Sequence, residues 1–199
     1  MALVLAWLLN RAGVRAPWFI ESPSLAFLYG SILRVYDTWL WKWNVGPLRF
    51  SGVPRVDGLW YGYLRSSFDA SVLTPAVLRV DQTWSSLCVY LETERSRSYS
   101  VAAHVRARLR QESVVEYIYH NDPFTIRGGD LASHRGTACH WAKLENLEGE
   151  YYSGRPRMNQ GEMFMRRAPA GTKAVSDLKR DLLAGLLPDV AVPELGAET

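Results

Sequence analysis

From Arg79 to Asn121 the sequence alternates apolar and polar residues through four short runs. They are Arg79 to Trp84, Leu87 to Leu91, Ser96 to Ser100 and Glu116 to Asn121. Polar breaks separate them at intervals of about ten residues, the pattern of consecutive antiparallel strands. A period of two sends neighbouring side chains to opposite faces. One face is therefore a core, and a polar residue on it needs an explanation.

The same pattern extends in both directions. Strands are expected at Gly58 to Leu64, Ala76 to Trp84, Leu87 to Glu92, Arg97 to Leu109, Val114 to Asn121, Thr137 to Glu145, Leu147 to Ser153 and Glu162 to Arg167. Asp122 to Arg135 reads as a loop. About eight strands suffice to close a small barrel, filled by side chains or holding one small ligand. The expected fold is mainly β: an antiparallel barrel over residues 57–168, preceded by a helical region over 1–56 and followed by a short helix and tail over 169–199. The C-terminal helix is expected from Lys173 to Leu187, with Ser176 and Asp177 near its start.

The first region is of another kind. Ala2 to Leu9 is apolar, with Arg11 and Arg15 after it. A secretory signal has its basic residues before the apolar run, and so short a run falls well below the roughly 20 residues of a membrane span. A cytoplasmic location is expected. Ser24 can cap a helix from Leu25 to Trp43. It would place Leu25, Leu28, Tyr29, Ile32, Tyr36, Trp39, Leu40 and Trp43 on one face. Arg34 and Asp37 sit at its middle, where each would cost about 2.5–3.5 kcal/mol at a bilayer centre. Two readings stand. The helix packs in protein, on its own domain or across a homo-oligomer; or residues 24–43 lie in a membrane surface, which tryptophans favour.

Chemistry motifs are scarce. A net charge of +3 tolerates an anionic ligand without marking a nucleic-acid protein. The run Arg106, Arg108, Arg110 reads as a solvated strand face or as a basic stripe. Cys88 and Cys139 have no metal spacing and read as buried thiols, with a disulfide as the alternative. No phosphate loop, dinucleotide fingerprint or His-Glu-x-x-His is present, and the four histidines are scattered. No enzyme, metal or cofactor is expected.

Two amides stand on core faces. Gln82 shares parity with Leu78 and Val80; Asn121 shares parity with Val115, Tyr117 and Tyr119. Buried without a partner, each costs about 1–3 kcal/mol. They meet each other, or capped backbone, or a polar ligand. For a ligand, Trp60, Trp84, Tyr117 and Tyr119 can stack on bases, Gln82 and Asn121 can read base edges, and Arg155 can fork onto phosphate.

The motifs Gly58-x-Trp60-x-Gly62, Gln82-Thr83-Trp84, Ser96-x-Ser98-x-Ser100, Tyr117-x-Tyr119-x-Asn121, His134-x-Gly136-Thr137 and Leu147-x-Gly149-x-Tyr151, followed by Gly161, run in order between Gly58 and Arg167. This set resembles the cyclic-nucleotide receptor domain of CBASS anti-phage effectors, the SMODS-associating two-transmembrane β-strand-rich family. The resemblance implies an eight-stranded barrel that binds a cyclic di- or oligonucleotide made by a neighbouring nucleotidyltransferase. It also implies oligomerisation on binding and attached helices that damage the inner membrane, so the inner face of that membrane is the alternative location. Ser98, His134, Thr137 and Tyr151 enter the candidate site from the resemblance alone; Ser98 falls on the face opposite Tyr99 and Val101. Two membrane spans are not evident between Met1 and Val56. Competing readings are a lipocalin-like carrier of an apolar ligand, an interaction scaffold working through the Trp-rich helix, and a hydrolase of the messenger using His134.

Overall fold

The computed structural model describes Trp7, Arg11, Gly13 and residues 18–193, apart from positions 46, 47, 50, 108–112, 127, 128, 130, 144 and 173. Its two compact units divide after Ser51.

In the first unit, α1 spans Trp18–Thr38, a 3-10 turn spans Leu40–Lys42, and β1 (Asn44–Val45) pairs with β2 (Leu48–Arg49). The helix starts ahead of the expected Ser24 cap and carries Pro23 within it. Arg34 Nη1 lies 3.9 Å from Asp37 Oδ2, one turn on, as their spacing allows. Ile32, Trp39 and Trp43 are exposed, and so are Phe27, Leu33 and Val35 outside the expected apolar face. Trp41, which is not among the residues of the expected apolar face, is buried. No helix among the described residues is long and apolar enough to cross a membrane. The apolar run Ala2 to Leu9 lies outside the described residues, apart from Trp7.

The second unit is the barrel. Its strands are β3 (Gly58–Ser66), β4 (Asp69–Gln82), β5 (Leu87–Thr93), β6 (Ser96–Ala107), β7 (Ser113–Pro123), β8 (His134–Ala142), β9 (Asn146–Ser153) and β10 (Gln160–Arg167). Each pairs antiparallel with the next, and β10 pairs with β3 to close the ring. Closure leaves the ring without an edge strand, although β4 before Ala76 and β6 beyond Tyr99 are paired on one side only. Gly62 sits at this seam: a Cβ there would run into the Phe164 carbonyl oxygen. The close approach of β3 to β10 therefore requires glycine.

Interior side chains follow strand parity: Trp60, Leu78, Val80, Val89, Leu91, Val115, Tyr117, Ala138, Leu147, Met163 and Met165 form one core. Strand β6 departs from simple alternation. Its register with β7 shifts between Ser100 and Ala102. A bulge adds one residue and reverses the faces beyond it. Ser96 and Ser98 are buried before it, Ala103 and Val105 pack on the core after it, and Tyr99 and Val101 are exposed. Ser98 thus lies opposite Tyr99 and Val101, as alternation has it, and that face is the interior one.

A second core lies outside the barrel wall. Helix α2 spans Val175–Leu183, shorter than expected, and buries Leu178 and Leu182 against Tyr61 and Val77. Lys179 Nζ ties it to the β5 end, 2.6 Å from Glu92 Oε1 and 2.7 Å from the Thr93 carbonyl oxygen. Both cysteines are free, and Cys88 is exposed, which corrects the buried-thiol reading for that residue. Arg106 forms an ion pair with Glu116 at 2.7 Å, while Arg108 and Arg110 lie outside the described residues.

Candidate ligand-binding site

The two ends of the barrel differ. One is plugged by the chain entering it. Gln82 Oε1 accepts from the Val56 N–H at 2.9 Å, and Gln82 Nε2 donates to the Pro54 carbonyl at 2.8 Å. Trp60 is fully buried and donates from Nε1 to the Val56 carbonyl at 3.3 Å. The Arg167 guanidinium stands 4.2 Å over the Trp60 ring and donates to the Asp57 carbonyl at 2.8 Å. Both groups are thereby occupied with protein. Trp84 follows β4 at this end and is 47% exposed.

The other end opens into a cavity of about 160 Å³, reached between the β3–β4, β5–β6, β7–β8 and β9–β10 connections. Its walls carry Tyr117, Tyr119 and Tyr151, the hydroxyls of Thr93, Ser96, Ser98 and Ser153, and Asn121 and His134; Leu64, Leu91 and Met163 supply apolar surface. Arg95 and Arg157 stand in connections at its mouth. No carboxylate is among its described lining residues. Six of the sequence candidates therefore meet here: Ser98, Tyr117, Tyr119, Asn121, His134 and Tyr151. Arg155 is exposed in the β9–β10 turn outside the cavity, and Thr137 is exposed on the outer parity of β8. Trp60, Gln82 and Trp84 are not in it.

Hydrogen bonding gives the cavity wall its polarity. Thr93 Oγ1 donates to the Ser96 carbonyl at 3.2 Å, so the Ser96 hydroxyl can donate back to Thr93 Oγ1 at 3.3 Å. The Ser96 oxygen then accepts from Asn121 Nδ2 at 3.0 Å, and Ser98 Oγ accepts the other amide proton at 2.8 Å. Both amide protons are spent on serines, and Asn121 Oδ1 is left buried with no partner among the described residues. His134 Nδ1 lies 3.1 Å from the Ala132 carbonyl, which can only accept, so the proton is on Nδ1 and Nε2 is a bare acceptor. Burial, with Arg157 and His120 nearby, holds the His134 pKa below its ordinary value and keeps the ring neutral at pH 7.

The aromatic wall is also buried. Tyr117 Oη lies 3.0 Å from His140 Nε2, and burial pushes the Tyr117 pKa up, so the phenol stays protonated. Tyr119 bonds Ser153 Oγ at 3.2 Å and crosses the His134 ring edge-on at 6.1 Å.

Neither a metal centre nor a catalytic relay is assembled among the described residues. No group of three or more His, Cys, Asp or Glu converges on one point. Ser133, His120 and Asp122 do cluster, yet the serine at 3.2 Å and the carboxylate at 3.0 Å both approach the same nitrogen, His120 Nε2. A relay needs them on opposite ring nitrogens.

Sequence reasoning missed Thr93, Ser96, Ser153, Arg95 and Arg157. Ser153 was available, since it shares parity with Leu147 and Tyr151. The arginines are carried by connections, where alternation gives no face.

The comparisons with known proteins fall on the same part of the chain. Residues 51–167 match the family described as "Cap15, cyclic dinucleotide receptor domain". A protein of Yersinia aleksiciae named "CD-NTase-associated protein 15" is 31% identical over 144 residues, which is 70% of this chain and 67% of that one. The matched segment begins just before the plug and ends with β10, so it contains the whole barrel and its open end. The chain belongs to the Cap15 cyclic dinucleotide receptor domain family.

Proposed function

We propose that this chain is the receptor for a cyclic di- or oligonucleotide messenger in CBASS antiviral defence, held at the open end of the barrel. The observation that supports it best is the lining of the cavity: hydroxyls, an amide and aromatic rings inside, two arginines at the mouth, and no described carboxylate. Bases stack on aromatic faces, and arginine pairs with phosphate. At about 160 Å³ the cavity is smaller than the roughly 300–1,000 Å³ that enclose a whole drug-sized ligand. One base enters and the phosphates stay at the mouth, beside Arg95 and Arg157. An apolar carrier ligand fits less well, because it would seal the bare His134 Nε2 without a donor at a cost of about 1–3 kcal/mol.

The messenger would come from a nucleotidyltransferase with which the chain is functionally linked, and the output would be self-assembly or activation of an effector. The exposed apolar side chains of α1 offer the surface for such assembly or for contact with the inner face of a membrane. The protein would act without a cofactor and without catalysis of its own.

Thermal unfolding with a panel of cyclic di- and trinucleotides tests the receptor reading. A matched messenger at a hundredfold excess over its dissociation constant raises stability by about 2.7 kcal/mol. No shift and no calorimetric heat with any member of the panel would overturn it. An Arg157→Glu variant, which reverses an exposed charge at the mouth, should keep the unliganded melting temperature and weaken messenger binding at least tenfold, about 1.4 kcal/mol.

A further inference from the structure

Three of the four connections at the open end carry a large apolar side chain in solvent. Phe68 in the β3–β4 connection is 87% exposed, Ile126 in the β7–β8 connection 93%, and Met158 in the β9–β10 connection 71%. One exposed apolar residue is ordinary, but several grouped at a single opening mark a contact surface. None of the three lines the cavity. The fourth connection carries Arg95, and Arg157 directly precedes Met158; both arginines are exposed at the mouth. Asp69 and Glu94 stand at the same end, outside the cavity lining.

We infer that this rim docks on the rim of a second copy, with one cyclic dinucleotide held between the two mouths. The inference rests on the receptor reading above and names the partner that completes its site. A cyclic dinucleotide is built from two like halves, each with a base and a phosphate. In its extended form the two bases leave opposite sides of the ring. A cavity of about 160 Å³ takes one base, so a single barrel leaves the other base in water. A second copy of the same cavity is matched to it. Two mouths related by a two-fold axis place one cavity on each base. They bring Arg95 and Arg157 of both copies to the two phosphates, and they cover Phe68, Ile126 and Met158. Without ligand, the arginines of the two copies would face one another, and no described lining carboxylate offsets them. The phosphates supply that negative charge, so the pair forms with the ligand and not before it.

Calorimetry and sedimentation test this, with whichever of cyclic di-AMP, cyclic di-GMP, cyclic di-UMP and cyclic AMP–GMP shifts thermal unfolding. Calorimetry should give one ligand per two chains, and the sedimenting mass should double as the ligand reaches that ratio. In large excess of ligand the pairing should fall away, because each barrel then takes a ligand of its own. Pairing through any other surface would persist in excess ligand. A Phe68→Ser, Ile126→Ser double variant should keep the unliganded melting temperature, bind one ligand per chain and pair at least about tenfold more weakly. A one-to-one complex of unchanged mass overturns the shared site and leaves the receptor reading intact. So does pairing that excess ligand leaves in place, or that the double variant retains in full. Should the double variant fail to fold, the binding ratio and the excess-ligand titration on the unaltered protein still decide. Binding of the unliganded protein to phosphatidylglycerol vesicles, lost in the double variant, would assign the rim to a lipid surface and overturn the mouth-to-mouth pair. Failure of every cyclic di- and trinucleotide in the wider panel overturns the receptor reading together with the shared site.

Discussion

A Trp60→Ala variant is expected to lose about 3–5 kcal/mol of unfolding free energy, the range for truncating a buried aromatic, and to keep its affinity for a cyclic dinucleotide. The ring is fully buried at the plugged end, and three other groups depend on it. The Val56 carbonyl loses the indole donor, the Arg167 guanidinium loses the face it stands over, and Val56 itself loses packing. None of these touches the cavity. Chemical denaturation measures the first quantity, and calorimetry below the variant's melting temperature measures the second. A stable variant that no longer binds would return Trp60 to the ligand site, where a stacking reading of the sequence puts it.

That contrast shows what strand alternation can and cannot report. Gln82 and Asn121 have the same signature: an amide on the apolar parity of a strand. Both are buried. Parity gives a face and says nothing of height along the barrel, and height separates them. Gln82 meets the backbone of the plug, while Asn121 meets two serines and an open cavity. The plug residues Pro54 and Val56 lie in a stretch that reads only as a linker, because backbone carbonyls and amides carry no sequence mark.

The strand count and the closed ring were legible because eight alternating runs separated by short breaks admit few arrangements. The long β4 was less so. Its first half, Asp69 to Pro75, is exposed or half-buried and contains a proline, so it lacks the alternation that marks β4 beyond Ala76. Which face of β6 is interior at Ser98 was hidden for another reason. A bulge is one extra residue, and from the sequence an inserted residue is indistinguishable from a strand on the opposite parity. Arg157 is a third kind of case: its place at the mouth is set by the β9–β10 turn, in which its N–H and that of Met158 both bond the Gly154 carbonyl at 3.1 Å.

Acid should destabilise the protein through His140, an effect larger than its single bond suggests. The ring is fully buried on β8, and a Cβ on Gly149 would touch it, so the neighbouring strand covers it with bare backbone. Its Nε2 meets Tyr117 Oη, and its Nδ1 has no partner among the described residues. With no carboxylate to stabilise an added proton, burial holds its pKa down at about 3. An unfolded histidine titrates near 6.5. Between those values the unfolded chain binds the proton and the folded chain does not, so stability is full above about pH 6.5 and falls as the pH drops toward 3. The slope is about 1.4 kcal/mol per pH unit for this one group, or roughly 3 kcal/mol between pH 6.5 and 4.5. Carboxylates and the buried His134 titrate in the same range, and a His140→Gln variant, which keeps a polar partner for Tyr117, cancels their contributions by difference. Urea unfolding of both proteins from pH 7.5 to 4.5 should give curves that converge as the pH falls, the unaltered protein losing its advantage. Parallel curves would mean that the folded barrel admits the proton, either by opening at β8–β9 or through water reaching the ring from the cavity side.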